Sequence, residues 1–219
     1  MSLSSASSTV VHVIRHGEVD NPTGIIYGRM SGFHLSETGQ QMAKLAAESL
    51  ADRDITHVFS SPLERALETA EPFSQQFGLP VEIDERLIEP ENNFEGERFS
   101  VGDGALRRPK SWWALRNPVT PSWGEPYALV RARMFASLYR ARDEAVGHEA
   151  VCISHQLAIE VLRRAATGRR LWHNPRNRMC TLASVTSFVF SGDTVVDVQY
   201  AEPAIELVPP HLRSKMVKP

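Results

Sequence analysis

Cysteine is scarce in this chain: Cys152 and Cys180 are the only two among 219 residues, and they follow no metal-binding or redox spacing. A disulfide scaffold is not expected, and in a reducing cytosol both residues should stay thiols. Long apolar runs are missing as well, so no segment reads as a bilayer span. The serine-rich start, residues 1–8, has neither the basic nor the apolar stretch of a secretory leader. Neither sign of charge dominates. With 24 Lys and Arg against 26 Asp and Glu, the formal net charge is −2, which offers no overall positive field to nucleic acid or an anionic membrane. An anion site would have to be local. There is no internal repeat. Together these absences predict a soluble, cytoplasmic protein with no nucleic-acid or membrane partner.

What is present is a well-patterned globular chain, 42% hydrophobic and 23% charged, long enough to bury one sizeable core. Strand-like and helix-like segments alternate. "TVVHVIR" is a β-branched run; "SETGQQMAKLAAESLAD" opens with a Ser36 N-cap and carries apolar residues near helical spacing. "THVFSS" reads as a strand, "PLERALETAEPFSQQFG" as a helix with Pro62 at its start and Gly78 after its end, and "PVEID" as a short strand. Further along, "EPYALVRARMFASLYRARDEAV" reads as a helix, "EAVCIS" as a strand and "HQLAIEVLRRAAT" as a helix. "CTLASVTSFVF" and "TVVDVQYA" read as strands joined by the turn Ser191-Gly192-Asp193. Such alternation predicts an α/β three-layer sandwich, a mostly parallel sheet with helices on both faces. The expected organisation is a loose N-terminus over 1–8 and a single domain over 9–202 with an insertion at about 92–126. A Pro-rich extended tail is expected over 203–219.

In a sheet of this kind ligands bind beyond the carboxyl ends of the strands. Three predicted strands end in polar residues: Arg15 and His16, then Ser60 and Ser61 with Arg65 one turn into the next helix, then Ser154 and His155. Two histidines and two arginines converging on one sheet edge suit a phosphoryl group, with fork-shaped donors for its oxygens and an imidazole able to attack phosphorus. An imidazole that attacks needs one neutral ring nitrogen, so its other nitrogen should donate to a fixed acceptor. No metal is then required.

"VIRHGEV", "SSPLERALETA", "LIEPENNFEG" and "CISHQLA", in that order, resemble the histidine phosphatase superfamily, the phosphoglycerate-mutase-like group. The resemblance implies transfer through a phosphohistidine, with His16 as nucleophile. Arg15, Arg65 and a protonated His155 would hold the phosphoryl group, and Glu89 would protonate the leaving oxygen. To do so Glu89 must have a raised pKa. The expected function is a metal-independent phosphatase acting on a small-molecule phosphate monoester without cofactor. A mutase-type phosphotransferase and a non-catalytic phosphate-binding module on the same fold are the alternatives. In the mutases that this segment resembles, the glutamate is followed by Arg-His-Tyr; here Pro90, Glu91 and Asn92 follow it. Self-association into a homo-oligomer stays open.

Each assignment has a plainer rival. Arg65 is flanked by Glu64 and Glu68 and would also suit a helix surface; Glu91 and Glu95 compete with Glu89, which is preferred. His12, His57 and His148 read as hydrogen-bonded core residues. Asn21 is a candidate phosphate contact. Arg29 reads either as a residue of the site's mouth or as a surface charge. Gln156 stands where many relatives have glycine. The insertion holds Arg107, Arg108, Lys110, Trp112, Trp113, Arg116 and Trp123, a set that suits a lid over an anionic substrate. Six arginines between Arg163 and Arg178 read as a solvated helix end and loop.

Overall fold

The computed structural model describes residues 8–97 and 124–208. Strand β1, Thr9–Arg15, lies inside a six-stranded sheet of order β3-β2-β4-β1-β5-β6. Its neighbours are β4 (Glu149–Ser154), parallel, and β5 (Val185–Ser191), antiparallel. Strand β2, Ile55–Ser60, pairs in parallel with β4 and with the short β3, Val81–Ile83. Strand β6, Thr194–Ala201, closes the opposite edge in an antiparallel hairpin with β5. The sheet is therefore mixed, with a parallel core of four strands.

Helices cover both faces. Helices α1 (Glu37–Glu48) and α2 (Glu64–Phe77) pack over one face, where Ile14, Val58, Val151 and Ile153 meet Met42, Ala46, Ala66 and Phe73. Helices α3 (Tyr127–Glu144) and α4 (Gln156–Ala166) cover the other, where Val11, Val13, Phe59 and Cys152 meet Met134, Leu138, Ile159 and Leu162. The central strands are thus buried on both sides, which is why they read as continuous apolar runs. Among the described residues no helix is long and apolar enough to cross a membrane.

Three boundaries differ from those expected. Helix α2 begins at Glu64 with Leu63 in the N-cap position and continues through Pro72 to an αL C-cap at Gly78. Pro62 therefore ends the preceding turn and does not start the helix. Strand β5 starts only at Val185, because residues 180–184 turn back toward the site, with Ala183 at φ 52°. The start of the predicted tail is packed: a 3₁₀ turn, Ile205–Leu207, sets Ala204 and Val208 into the core over α1 and α2. Residues 209–219 and the expected lid residues Arg107, Arg108, Lys110, Trp112, Trp113, Arg116 and Trp123 lie outside the described residues. His12 is buried, with Nδ1 at 2.8 Å from Ser187 Oγ and Nε2 at 2.6 Å from Glu149. The core reading of His148 is corrected: it stands exposed in the turn just before β4 and pairs with Asp54.

Candidate active site

The polar residues at the ends of β1, β2 and β4 meet beyond the carboxyl edge of the sheet. His16, directly after β1, is buried, and its Nδ1 lies 2.8 Å from the carbonyl oxygen of Gly17. A carbonyl only accepts, so Nδ1 carries the hydrogen and Nε2 keeps its lone pair. Burial, then the charges of Arg15 and Arg65, hold the imidazole well below its usual pKa and keep it neutral. Gly17 is needed here: a Cβ would stand 2.4 Å from the Gly39 carbonyl oxygen in the first turns of α1. The Gly17 N–H donates to Thr69 on α2, which fixes the loop from a second side.

Arg65, in the first turn of α2, is fully buried and is no surface charge. Its Nη2 donates to the Gly28 carbonyl at 2.6 Å and lies 3.4 Å from His155 Nδ1, while Tyr27 covers the guanidinium at 4.8 Å. Arg15 Nη1 donates to the Cys180 carbonyl at 2.8 Å. Among the described residues Arg15 Nε, Arg65 Nε and Arg65 Nη1 are buried with no acceptor. Orphaned guanidinium donors are costly unless a ligand supplies oxygens.

His155 lies with its ring centroid 5.2 Å from that of His16, and its Nε2 is 2.7 Å from Ser61 Oγ. His155, expected to hold the phosphoryl group in its protonated form, is by itself biased toward the neutral imidazole. Burial first, then His16, Arg65, Arg15 and Arg133, push its pKa well below the usual value. Glu89 Oε2 stands 3.8 Å from His155 Nδ1. Burial raises the Glu89 pKa and outweighs the opposing pull of Arg65, Arg178, Arg15 and Arg133. Glu91, by contrast, is a rim residue, 67% exposed and paired with Arg29.

Two of the predicted contacts do other work. Asn21 folds over its own loop, donating to the Ile25 carbonyl and accepting from the Ile25 N–H and Thr23, so it is a turn-former outside the cavity. Arg29 is neither mouth residue nor free surface charge. Its Nε donates to the Glu89 carbonyl at 2.7 Å, and its amino groups reach Glu91 and Glu125. Arg133 on α3 completes this brace, donating to the Arg86 and Ile88 carbonyls and pairing with Glu125.

His16, Arg15, Arg65 and Glu89 line one cavity of about 390 Å³. The arrangement can offer a neutral imidazole lone pair, unpartnered guanidinium donors for an oxyanion and a carboxyl group biased toward its protonated form. Among the described residues, His57, Glu82 and Glu144 bring their ligand atoms close enough to share an ion, but Arg140 is ion-paired to both carboxylates.

The sequence model of the histidine phosphatase superfamily, branch 1, matches residues 11–202. The chain belongs to this superfamily. A Mycobacterium tuberculosis protein described only as uncharacterized is 58% identical over 90% of this chain and 97% of its own length. A probable phosphoglycerate mutase of Photorhabdus laumondii is 31% identical over 80% of this chain and 83% of its own. Among solved structures, a mycobacterial glucosyl-3-phosphoglycerate phosphatase superposes with a TM-score of 0.68 at 25% identity, covering 89% of this chain and 96% of that one. This branch 1 member thus stands among phosphoryl-transfer enzymes that include both phosphatases and mutases.

Three residues of the cavity were not assigned to the site from the sequence. Tyr27 covers Arg65 and stands 6.5 Å from His16, ring to ring. Gln156 and Arg178 line the cavity and bond to each other at 3.1 Å. Arg178 was grouped with the solvated arginines, and that reading is corrected: it is half-buried in the cavity wall, and Arg163 is buried against Glu160. The one available signal was the loop's return toward the strand ends, which composition does not reveal.

Proposed function

We propose that the protein is a metal-independent phosphatase that hydrolyses a small phosphate monoester through a phosphohistidine on His16. The observation that carries this reading is the trio of buried, acceptor-free nitrogens on Arg15 and Arg65 beside a neutral imidazole. Nε2 of His16 attacks phosphorus as the ester bond to the leaving oxygen breaks, and Glu89 gives that oxygen its proton. Arg15 and Arg65 neutralise the equatorial oxygens, and the arriving dianion favours the protonated form of His155, which then donates from Nδ1. The Glu89 carboxylate next takes a proton from water, whose oxygen attacks the phosphohistidine and releases phosphate and His16.

A mutase reading is favoured by the 31% identical probable phosphoglycerate mutase. Against it, Pro90, Glu91 and Asn92 follow Glu89 where the mutase pattern has Arg-His-Tyr, so an exposed acid stands in place of a cationic subsite. The phosphatase reading also fits the solved neighbour that is a glucosyl-3-phosphoglycerate phosphatase. The test is a coupled assay with 3-phosphoglycerate and added 2,3-bisphosphoglycerate, run beside phosphate release from a panel of monoesters. Phosphate release from at least one monoester should exceed formation of 2-phosphoglycerate by a large factor. Mutase turnover far above phosphate release would overturn the assignment.

A further inference from the structure

We infer that Tyr27 is a positioning residue for phosphoryl transfer: its ring holds the Arg65 guanidinium in place while leaving Nε and Nη1 free for the oxygens of the phosphoryl group. The inference rests on the phosphate pocket proposed above and names what orients it. Arg65 is fully buried. Its Nη2 donates to the Gly28 carbonyl at 2.6 Å and lies 3.4 Å from His155 Nδ1, and the guanidinium carbon stands 4.8 Å from the centre of the Tyr27 ring. Nε and Nη1 meet no acceptor among the described residues. Burial lowers the Arg65 pKa against the pull of Tyr27, Glu89, Glu64 and Glu95. Among the described residues none of these acids bonds to it. An acid bonded to Arg65 would take up the donors that a phosphoryl group needs; the face of a ring attracts the cation and takes none of them.

Tyr27 is itself held so that this contact is fixed. Its ring stacks on Phe33, with centroids 5.1 Å apart, and meets the His16 imidazole edge-on at 6.5 Å. Gly28, the next residue, supplies the carbonyl that Arg65 binds, so both holds come from neighbouring residues of the loop between β1 and α1. That loop is tied to the helix that carries Arg65. The Gly32 N–H donates to Glu64 at 3.1 Å and the Leu35 N–H to Glu68 at 2.7 Å, and Glu68 also pairs with His34. Glu64 and Glu68, on either side of Arg65 in α2, thus set the ring over the arginine between them. Burial raises the Tyr27 phenol above its ordinary pKa despite Arg15 and Arg65, so the residue acts as a neutral ring and not as a phenolate counter-ion.

The test compares Tyr27→Phe, Tyr27→Leu and a protein with a ring-trifluorinated phenylalanine in place of Tyr27, whose fluorines drain the negative face of the ring at nearly unchanged size. Two quantities are read for each protein: the dissociation constant of inorganic phosphate by calorimetry, and kcat/KM for an activated aryl phosphate. Tyr27→Phe should keep most of both. The fluorinated ring should weaken both by about three- to tenfold relative to Tyr27→Phe, and Tyr27→Leu by at least as much. In an Arg65→Gln background the difference between the two rings should vanish, because no guanidinium is left to hold. Equal affinity and activity for the fluorinated ring and Tyr27→Phe overturn the inference and leave the phosphate pocket standing. A loss in Tyr27→Phe as large as that in Tyr27→Leu does the same, since the hydroxyl is then the working group. A ring difference that persists in the Arg65→Gln background also overturns it, because the ring then acts on the ester directly. Failure of the wild-type protein to bind phosphate or to release it from the aryl ester sinks the pocket and the inference together.

Discussion

His16 and Glu89 share one cavity, and burial biases each toward its uncharged form, which suits the first to act as a nucleophile and the second as an acid. The signs fix a pH profile. Activity should rise with pH as His16 loses its proton, on a limb below its ordinary value of 6.5, and fall as Glu89 ionises, on a limb above its ordinary 4.5. Glu89→Gln should remove the alkaline limb and slow esters with poor leaving groups by about 10²- to 10⁴-fold, the usual worth of a general acid, and activated aryl phosphates far less. An alkaline limb that survives the substitution in a kcat/KM profile would assign the acid elsewhere. At this scale Arg15, His16, Arg65 and His155 were legible because each adjoins a strand end or a helix start, and such places are set by chain order. Asn21 was misread because a short amide serves its own loop as readily as a ligand. Arg178 and Tyr27 were illegible because irregular loops, whose path no periodicity reveals, bring them to the cavity.

Between elements, the segment carrying Glu89 owes its position to two arginines. Arg29 holds the Glu89 carbonyl from one side, and Arg133 of α3 holds the Ile88 and Arg86 carbonyls from the other, with Glu125 salt-bridged to both. Replacing Arg133 with Met strips three acceptors of a charged donor. It should cost about 1–3 kcal/mol of stability in denaturant unfolding. It should also lower kcat about tenfold or more, since small displacements of a catalytic group cost that much, with KM changed little. An unchanged kcat would show that the brace is structural only. Strands and helices with clear periodicity were read from the sequence nearly to their ends. The ends failed where tertiary packing decided them: α2 starts late because Ser61 is committed to His155, β5 starts late because Cys180 is committed to Arg15, and the 203–208 segment buries Ala204 and Val208 despite Pro203.

For the whole molecule, a near-neutral chain builds a local anion site by bringing Arg15, Arg65 and Arg178 together from three separate stretches into one cavity. Net charge foretold only that an anion site must be local; the order of the strands gave it a place. The order β3-β2-β4-β1-β5-β6 sets β1 beside β4, which brings the His16 and His155 rings within 5.2 Å, centroid to centroid, although 139 positions separate them in the chain. The central claim, that His16 takes the phosphoryl group, is tested most directly by rapid quench with a ³²P-labelled monoester. During turnover the wild-type protein should carry an acid-labile, base-stable label that peptide mapping places on His16, and His16→Ala should lose both label and turnover. Label on another residue, or a His16→Ala protein that still hydrolyses the ester at near-normal rate, would contradict it.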